Sequence, residues 1–379
     1  MIGRLQEGLP QASDQQKQSD TTLPNQPRNR PRYFLDCAPI AAIMPSHVDR
    51  ARRARSGRDR VMGGSMSNSE MDVPVDASAA TDRVSWLRLI ECIGNEEGSF
   101  ENLGNSHWAM FVEDGRDLVV TFESIATARA RQGQMPLVHH IAAAKGWSHL
   151  CLISDGPTWF RDPAVYAYFD RLVDEAFFED FDSVTFYGAG PMAYAACAFA
   201  VTAPGCNILA LSPVATLSPA LTGWDTRFKD ARRLDFTSRY GYAPDMTEGC
   251  ARLAVICDPR SKIDLMHAAL FHAPQTLLIP ARHAGEFIEP MLARIGVLDE
   301  TIIEAAESRL TAASFATLWR KRLGDAIFLK HLLQAVEATG NRRRVIRLCE
   351  YVAARHRISR FHKRLAELTG NPAPEPIKA

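Results

Sequence analysis

The chain lacks most features that would commit it to a charged partner or a membrane. Lys+Arg and Asp+Glu are equal at 44 each, so no global field draws it to nucleic acid or an anionic bilayer. No apolar run approaches the about 20 residues that a membrane helix needs. The N-terminus has no basic start followed by an apolar core, and Arg52-Arg53 precedes no apolar stretch. Neither a secretory nor a twin-arginine leader is expected, and a cytoplasmic protein is. The eight cysteines form no C-x-x-C pair, which points to reduced, buried thiols. His139-His140, His149, His267, His272 and His283 show no paired ligand spacing, so no metal and no cofactor is expected.

What is present begins after a polar lead. Residues 1–82 are rich in Gln, Ser, Asn, Pro and Arg, without a sustained apolar period. Such a stretch cannot bury enough surface to offset its ordering entropy, and disorder is expected there. Its basic run from Arg50 to Arg60 reads as a solvated linker rather than a nucleic-acid arm, and Met62 or Met66 is an alternative start.

From residue 83 the texture changes. Val84, Trp86, Leu87, Leu89 and Ile90 open an amphipathic segment. Short apolar runs then follow at 118–122, 149–153, 183–187, 207–211, 253–257 and 276–279, with helical patterns between them. This alternation predicts an α/β fold over 83–296, with a doubly wound, mostly parallel sheet. Residues 213–250, including Trp224-Asp225-Thr226-Arg227, interrupt it as a lid-like insertion. Residues 297–370 read as two or three antiparallel helices, and 371–379 as a tail.

The most informative stretch is Ser183-Val-Thr-Phe-Tyr-Gly-Ala-Gly-Pro-Met-Ala-Tyr-Ala-Ala196. A buried strand, a tight turn and a small-residue helix make the setting of a nucleophile elbow, with Gly190 where the nucleophile stands. The next strand ends in Ser212-Pro213. The one after it ends in Cys257-Asp258-Pro259, with Asp264 and His267 beyond, and the last is followed by His283. A triad in the order nucleophile, acid, histidine would fall on Gly190, Asp258 (or Asp264) and His283. On these residues the chain resembles the α/β-hydrolase fold superfamily over about 117–296, with the first triad position vacant. Ser124 and Ser212, which follow the strands expected to flank the elbow strand, are candidate substitutes.

A rival reading uses the same letters. Gly188-Ala-Gly190-Pro-Met-Ala193 fits the dinucleotide fingerprint G-x-G-x-x-A. That fingerprint should close the first strand and be followed by an acid at the end of the next, and neither holds. Pro191 also removes an amide from the helix start.

The segments at 98–104, 118–124, 154–163 and 234–245 are similar to an uncharacterised bacterial family whose members are often labelled phosphoadenosine phosphosulfate reductase. The resemblance covers about 84–360. A reductase of that kind carries a Ser-Gly-Gly phosphate loop and a Glu-Cys-Gly-x-His tail, where this chain has Ser154-Asp-Gly156 and Leu-Cys349-Glu-Tyr. Three readings follow. The first is a pseudo-hydrolase that binds a small molecule or protein, with Gly188, Gly190, Ser124 and Arg227 at its pocket. The second is a hydrolase or acyltransferase with a non-standard nucleophile, His283 as base and Asp258 as acid. The third is the reductase of the family label.

Overall fold

A computed structural model describes residues 76–370. The expectations for 1–75 and 371–379, including the basic run and the alternative starts, lie outside the described residues. Packed structure is already present before residue 83. Ala77 is fully buried, and its amide donates to the Gly133 carbonyl at 3.0 Å. Asp82 then caps α1 (Arg83–Glu97) in a reciprocal box with Ser85, so the polar residues before the helix act as its start signal.

Eight strands form one mixed sheet in the order β1-β2-β4-β3-β5-β6-β7-β8. They are β1 (Gly98–Asn102), β2 (His107–Val112), β3 (Asp117–Ser124), β4 (Ser148–Ser154), β5 (Ser183–Ala189), β6 (Asn207–Leu211), β7 (Arg252–Cys257) and β8 (Thr276–Pro280). β2 runs antiparallel to both β1 and β4, and every later pairing is parallel. The six apolar runs read from the sequence are β3 to β8. β1 and β2 were not among them.

Burial on both faces explains the continuous apolar texture of the parallel strands. Leu118, Val120, Phe122, Val184 and Phe186 enter one core with α4 (Pro163–Asp174) and α5 (Pro191–Phe199). Val119, Tyr187, Leu209 and Ile256, one residue out of phase, enter the core on the opposite face. α4 starts as its sequence implies, with Asp162 capping it and Pro163 in its first turn. In α5 the alanines 193, 195, 196 and 198 are fully buried, which lets its backbone lie close to the sheet.

Two short helices, α2 (Ile125–Arg129) and α3 (His139–Lys145), connect β3 to β4. The insertion at 213–250 holds only short helical turns: α6 (Pro219–Thr222), a 3-10 turn (Asp230–Arg233) and α7 (Ala243–Met246). α8 (Lys262–Ala268) and α9 (Ile288–Arg294) flank β8. Five helices follow, more than the two or three expected: α10 (Leu298–Ala306), α11 (Ala312–Trp319), α12 (Ala326–Glu337), α13 (Arg342–Ala353) and α14 (Ser359–Thr369). Their buried apolar residues, from Leu298 to Leu365, belong to the same apolar core as Val119 and Leu209 of the sheet. No helix among the described residues is long and apolar enough to cross a membrane.

Candidate functional site

β5 ends at Ala189, and Gly190 turns the chain into α5 with φ 57° and ψ −121°. An L-residue is strained in that conformation, and a nucleophile elbow imposes such strain on its central residue. A side chain at Gly190 would meet nothing within 4 Å, so the space over the turn is open. At Gly188 the situation is reversed. A Cβ there would lie 2.3 Å from the Met192 carbonyl oxygen, so only glycine lets the helix start pass this close to the strand. The Gly190 amide donates to the Leu211 carbonyl at 2.8 Å, which fixes the turn to the end of β6.

Gly190 lies on the wall of a cavity of about 490 Å³, within the range that holds a small organic molecule. Leu137, Met192, Leu211, Val214 and Phe228 supply apolar lining. Phe287 lines it too and is 78% exposed.

Two charged networks reach this cavity. In the first, Glu123 at the end of β3 is buried, pairs with Arg131 and accepts the Leu137 amide at 2.6 Å. Arg131 also reaches Glu289 at 3.4 Å, and Glu289 accepts the Tyr187 hydroxyl at 2.7 Å. Burial pushes the Glu123 carboxyl up, against the pull of Arg131. Burial, together with the neighbouring Glu289, puts the Tyr187 hydroxyl well above its ordinary value.

In the second network, Arg227 joins Asp225 at 3.0 Å to Asp264 at 2.7 Å. His267 Nε2 donates to Asp225 at 2.9 Å, while its Nδ1 accepts the Ala215 amide at 3.2 Å. The neutral tautomer of a fully buried histidine is thereby set. Burial alone would raise the Asp225 carboxyl, but the hydrogen bonds from His267 and Arg227 outweigh it and hold it far below the usual range. The Asp264 Oδ2 atom is buried with no hydrogen-bond partner among the described residues, and so is the hydroxyl of Ser212. Ser212 lines the cavity with a left-handed φ of 46°.

The residues singled out from the sequence scatter around this site. Gly190 and Arg227 line the cavity, and Gly188 sits behind it as a close-packing glycine. Ser124 does not line it. Its hydroxyl caps α2 by accepting the Thr127 amide, and its own amide donates to the Thr127 hydroxyl. Asp258 and His283 are not lining residues either. Asp258 accepts the amides of Arg260 and Gly285, each at 3.0 Å, as turn chemistry. His283 takes a left-handed φ of 65°, and its Nε2 lies 3.4 Å from the Arg260 guanidinium. Burial and the Arg260 charge lower its pKa. Asp264, the alternative acid, is held by Arg227.

Sequence reasoning missed Glu123, Arg131, Tyr187 and Glu289. A carboxylate closing the apolar run LVVTF was the available signal for Glu123. Nothing local connects it to Glu289, which lies far along the chain and meets it only through the fold. Cys349 is fully buried on α13, where burial pushes its thiol up to about 11. The seven cysteines among the described residues are all free, and those at 151, 197 and 257 are buried as their apolar settings imply.

No protein-family model matches the chain, and no curated protein does. Among solved structures it is similar to esterases, serine hydrolases and acetyltransferases. The capsule O-acetyltransferase of Neisseria meningitidis serogroup A is 11% identical, with 52% of this chain and 92% of that one covered and a TM-score of 0.35. Est1E from Butyrivibrio proteoclasticus is 16% identical, with 52% and 94% covered and a TM-score of 0.35. The mouse α/β-hydrolase domain-containing protein 10 is 12% identical, with 55% and 98% covered and a TM-score of 0.32. The fold is of the α/β-hydrolase type on its own strand order and its strand–turn–helix elbow.

Proposed function

We propose that the chain is a ligand-binding protein built on a hydrolase-type scaffold, without acyl-transfer chemistry. The observation that carries this reading is Gly190, which holds the strained elbow conformation over an open cavity while offering no nucleophile. Three neighbours support it. Pro191 follows the elbow, and a proline has no N–H to donate where the oxyanion hole draws its first amide. The Ser124 amide, on the loop after β3 that supplies the second donor in this fold, is engaged by Thr127. His283 and Asp258 are not among the residues that line the cavity, so the expected base and acid do not join Gly190 on its wall.

A hydrolase with a substitute nucleophile finds its best candidate in Ser212, yet that hydroxyl has no hydrogen-bonded base among the described residues. The reductase reading asks for a reactive thiolate on a mobile tail, and Cys349 is a buried helical thiol.

The test is a pair of measurements on the purified protein. A fluorophosphonate probe should leave it unlabelled, and p-nitrophenyl acetate should turn over no faster than in buffer. The neutral fluorophore N-phenyl-1-naphthylamine should bind, and Thr127→Trp at the cavity should weaken its binding. Ester turnover that disappears in His283→Ala or Ser212→Ala would overturn the proposal.

A further inference from the structure

Resting on that ligand-binding reading, we propose that the cavity takes an organic cation, an apolar amine or ammonium whose hydrocarbon part fills the apolar space. Glu123, Asp264, Glu286 and Glu289 line it, against Arg131 and Arg227 as its lining guanidiniums. Asp225 stands directly behind Arg227. Each arginine is shared between two carboxylates, so each network keeps one negative charge in excess. Glu286 adds another, with no ion pair among the described residues. Even with Glu123 protonated the walls remain negative.

That excess decides between ligand classes. An anion would enter a poorly screened site against several like charges. The turn offers it little in return, because Pro191 has no amide hydrogen and the Gly190 amide is taken by Leu211. A neutral apolar ligand would fill the volume but leave the excess carboxylate charge of the lining unbalanced. An ammonium or amine answers both needs. Its N–H groups or positive charge offset the carboxylates, and the rings of Phe122, Tyr187 and Phe287 offer apolar contact and cation–π faces. The negative wall would also concentrate cations at the mouth before binding.

The experiment compares three near-isosteric probes by isothermal titration: phenylpropylamine, phenylpropanol and phenylpropionate. Each is also run in competition with N-phenyl-1-naphthylamine to place it in the cavity. The expected order is amine, then alcohol, then carboxylate, with the amine about tenfold tighter than the alcohol, as one well-placed charge pair provides. Glu286→Gln, at an exposed position that leaves the buried networks intact, should weaken the amine roughly threefold and leave the alcohol unchanged. Carboxylate binding equal to or tighter than the amine overturns the charge argument while leaving a ligand-binding cavity. Failure of all three probes and of the fluorophore overturns the binding reading itself.

Discussion

The Tyr187 hydroxyl donates a 2.7 Å hydrogen bond to Glu289, joining the elbow strand to the helix after β8. Tyr187 is buried, and its partner also touches Arg131, so the bond closes one side of the cavity. Tyr187→Phe keeps the ring and removes the donor. Its expected cost in urea unfolding is about 1–2 kcal/mol, the magnitude of a bond to a charged acceptor. A change within error would show that Glu289 finds another donor at no cost.

The two elbow glycines should respond differently to the same substitution. Gly188→Ala drives a methyl into the Met192 backbone, which cannot give way without moving α5. Gly190→Ala meets open space and bears only the backbone strain, about 1–3 kcal/mol. The first variant should therefore be the less stable by thermal denaturation, despite its ordinary backbone conformation. Gly190→Ser should fold yet remain unlabelled by a fluorophosphonate. Equal stability of the two alanine variants would contradict the close approach at Gly188.

Removing Arg227 leaves two buried carboxylates, Asp225 and Asp264, facing each other's charge. Arg227→Met should cost about 3–5 kcal/mol, as breaking one side of a buried pair does. Asp225 is held below the usual carboxylate range in the folded chain. Its contribution is therefore fully present above the ordinary carboxyl pKa and lost as pH falls toward the depressed value. In Asp225→Asn, unfolding midpoints should depend less on pH over that acid window. An unchanged pH profile would show that the network does not hold the carboxylate charged.

His149 provides a separate acid sensor. It is fully buried on β4, its Nε2 is 2.8 Å from the Thr121 hydroxyl, and burial lowers its pKa from 6.5 to about 3. The folded protein holds this ring neutral while the unfolded chain protonates it below pH 6.5. Stability should fall as pH drops from 6.5 toward 3, by roughly 1.4 kcal/mol per unit from this group. His149→Gln should flatten the slope by that amount in chemical denaturation at stepped pH. An unaltered slope would place the acid sensitivity elsewhere.

Much of the sheet was legible because parallel strands buried on both faces must be short, apolar and bounded by turns. β6 was read to the residue, and the other parallel strands to within two at either end. β1 and β2 escaped for different reasons. β1 is a half-exposed edge of mixed composition, and β2 (HWAMFV) carries β-favouring aromatics that no alternation marked. The elbow was legible from Gly188 and Gly190, since close approach and positive φ both require glycine-like residues. His283 and Asp258 follow the expected strands but are not among the residues that line the cavity. Whether a loop residue lines a cavity depends on its turn, and in the turn after β7 the Asp258 carboxylate is engaged by the amides of Arg260 and Gly285. Arg227, read from the sequence as a pocket residue of the lid-like insertion, lines the cavity.

The shared core of the sheet and the C-terminal helices has a consequence for biosynthesis. When a ribosome has finished β8, the face carrying Val119, Tyr187, Leu209 and Ile256 still lacks α10 and the helices after it, which complete its core. Until those segments emerge, the nascent chain presents a broad apolar surface beside unfinished packing, the kind of species that aggregates or engages chaperones. A truncation after β8 reproduces that state permanently, so the helical end acts as the closing step of synthesis for that face of the sheet.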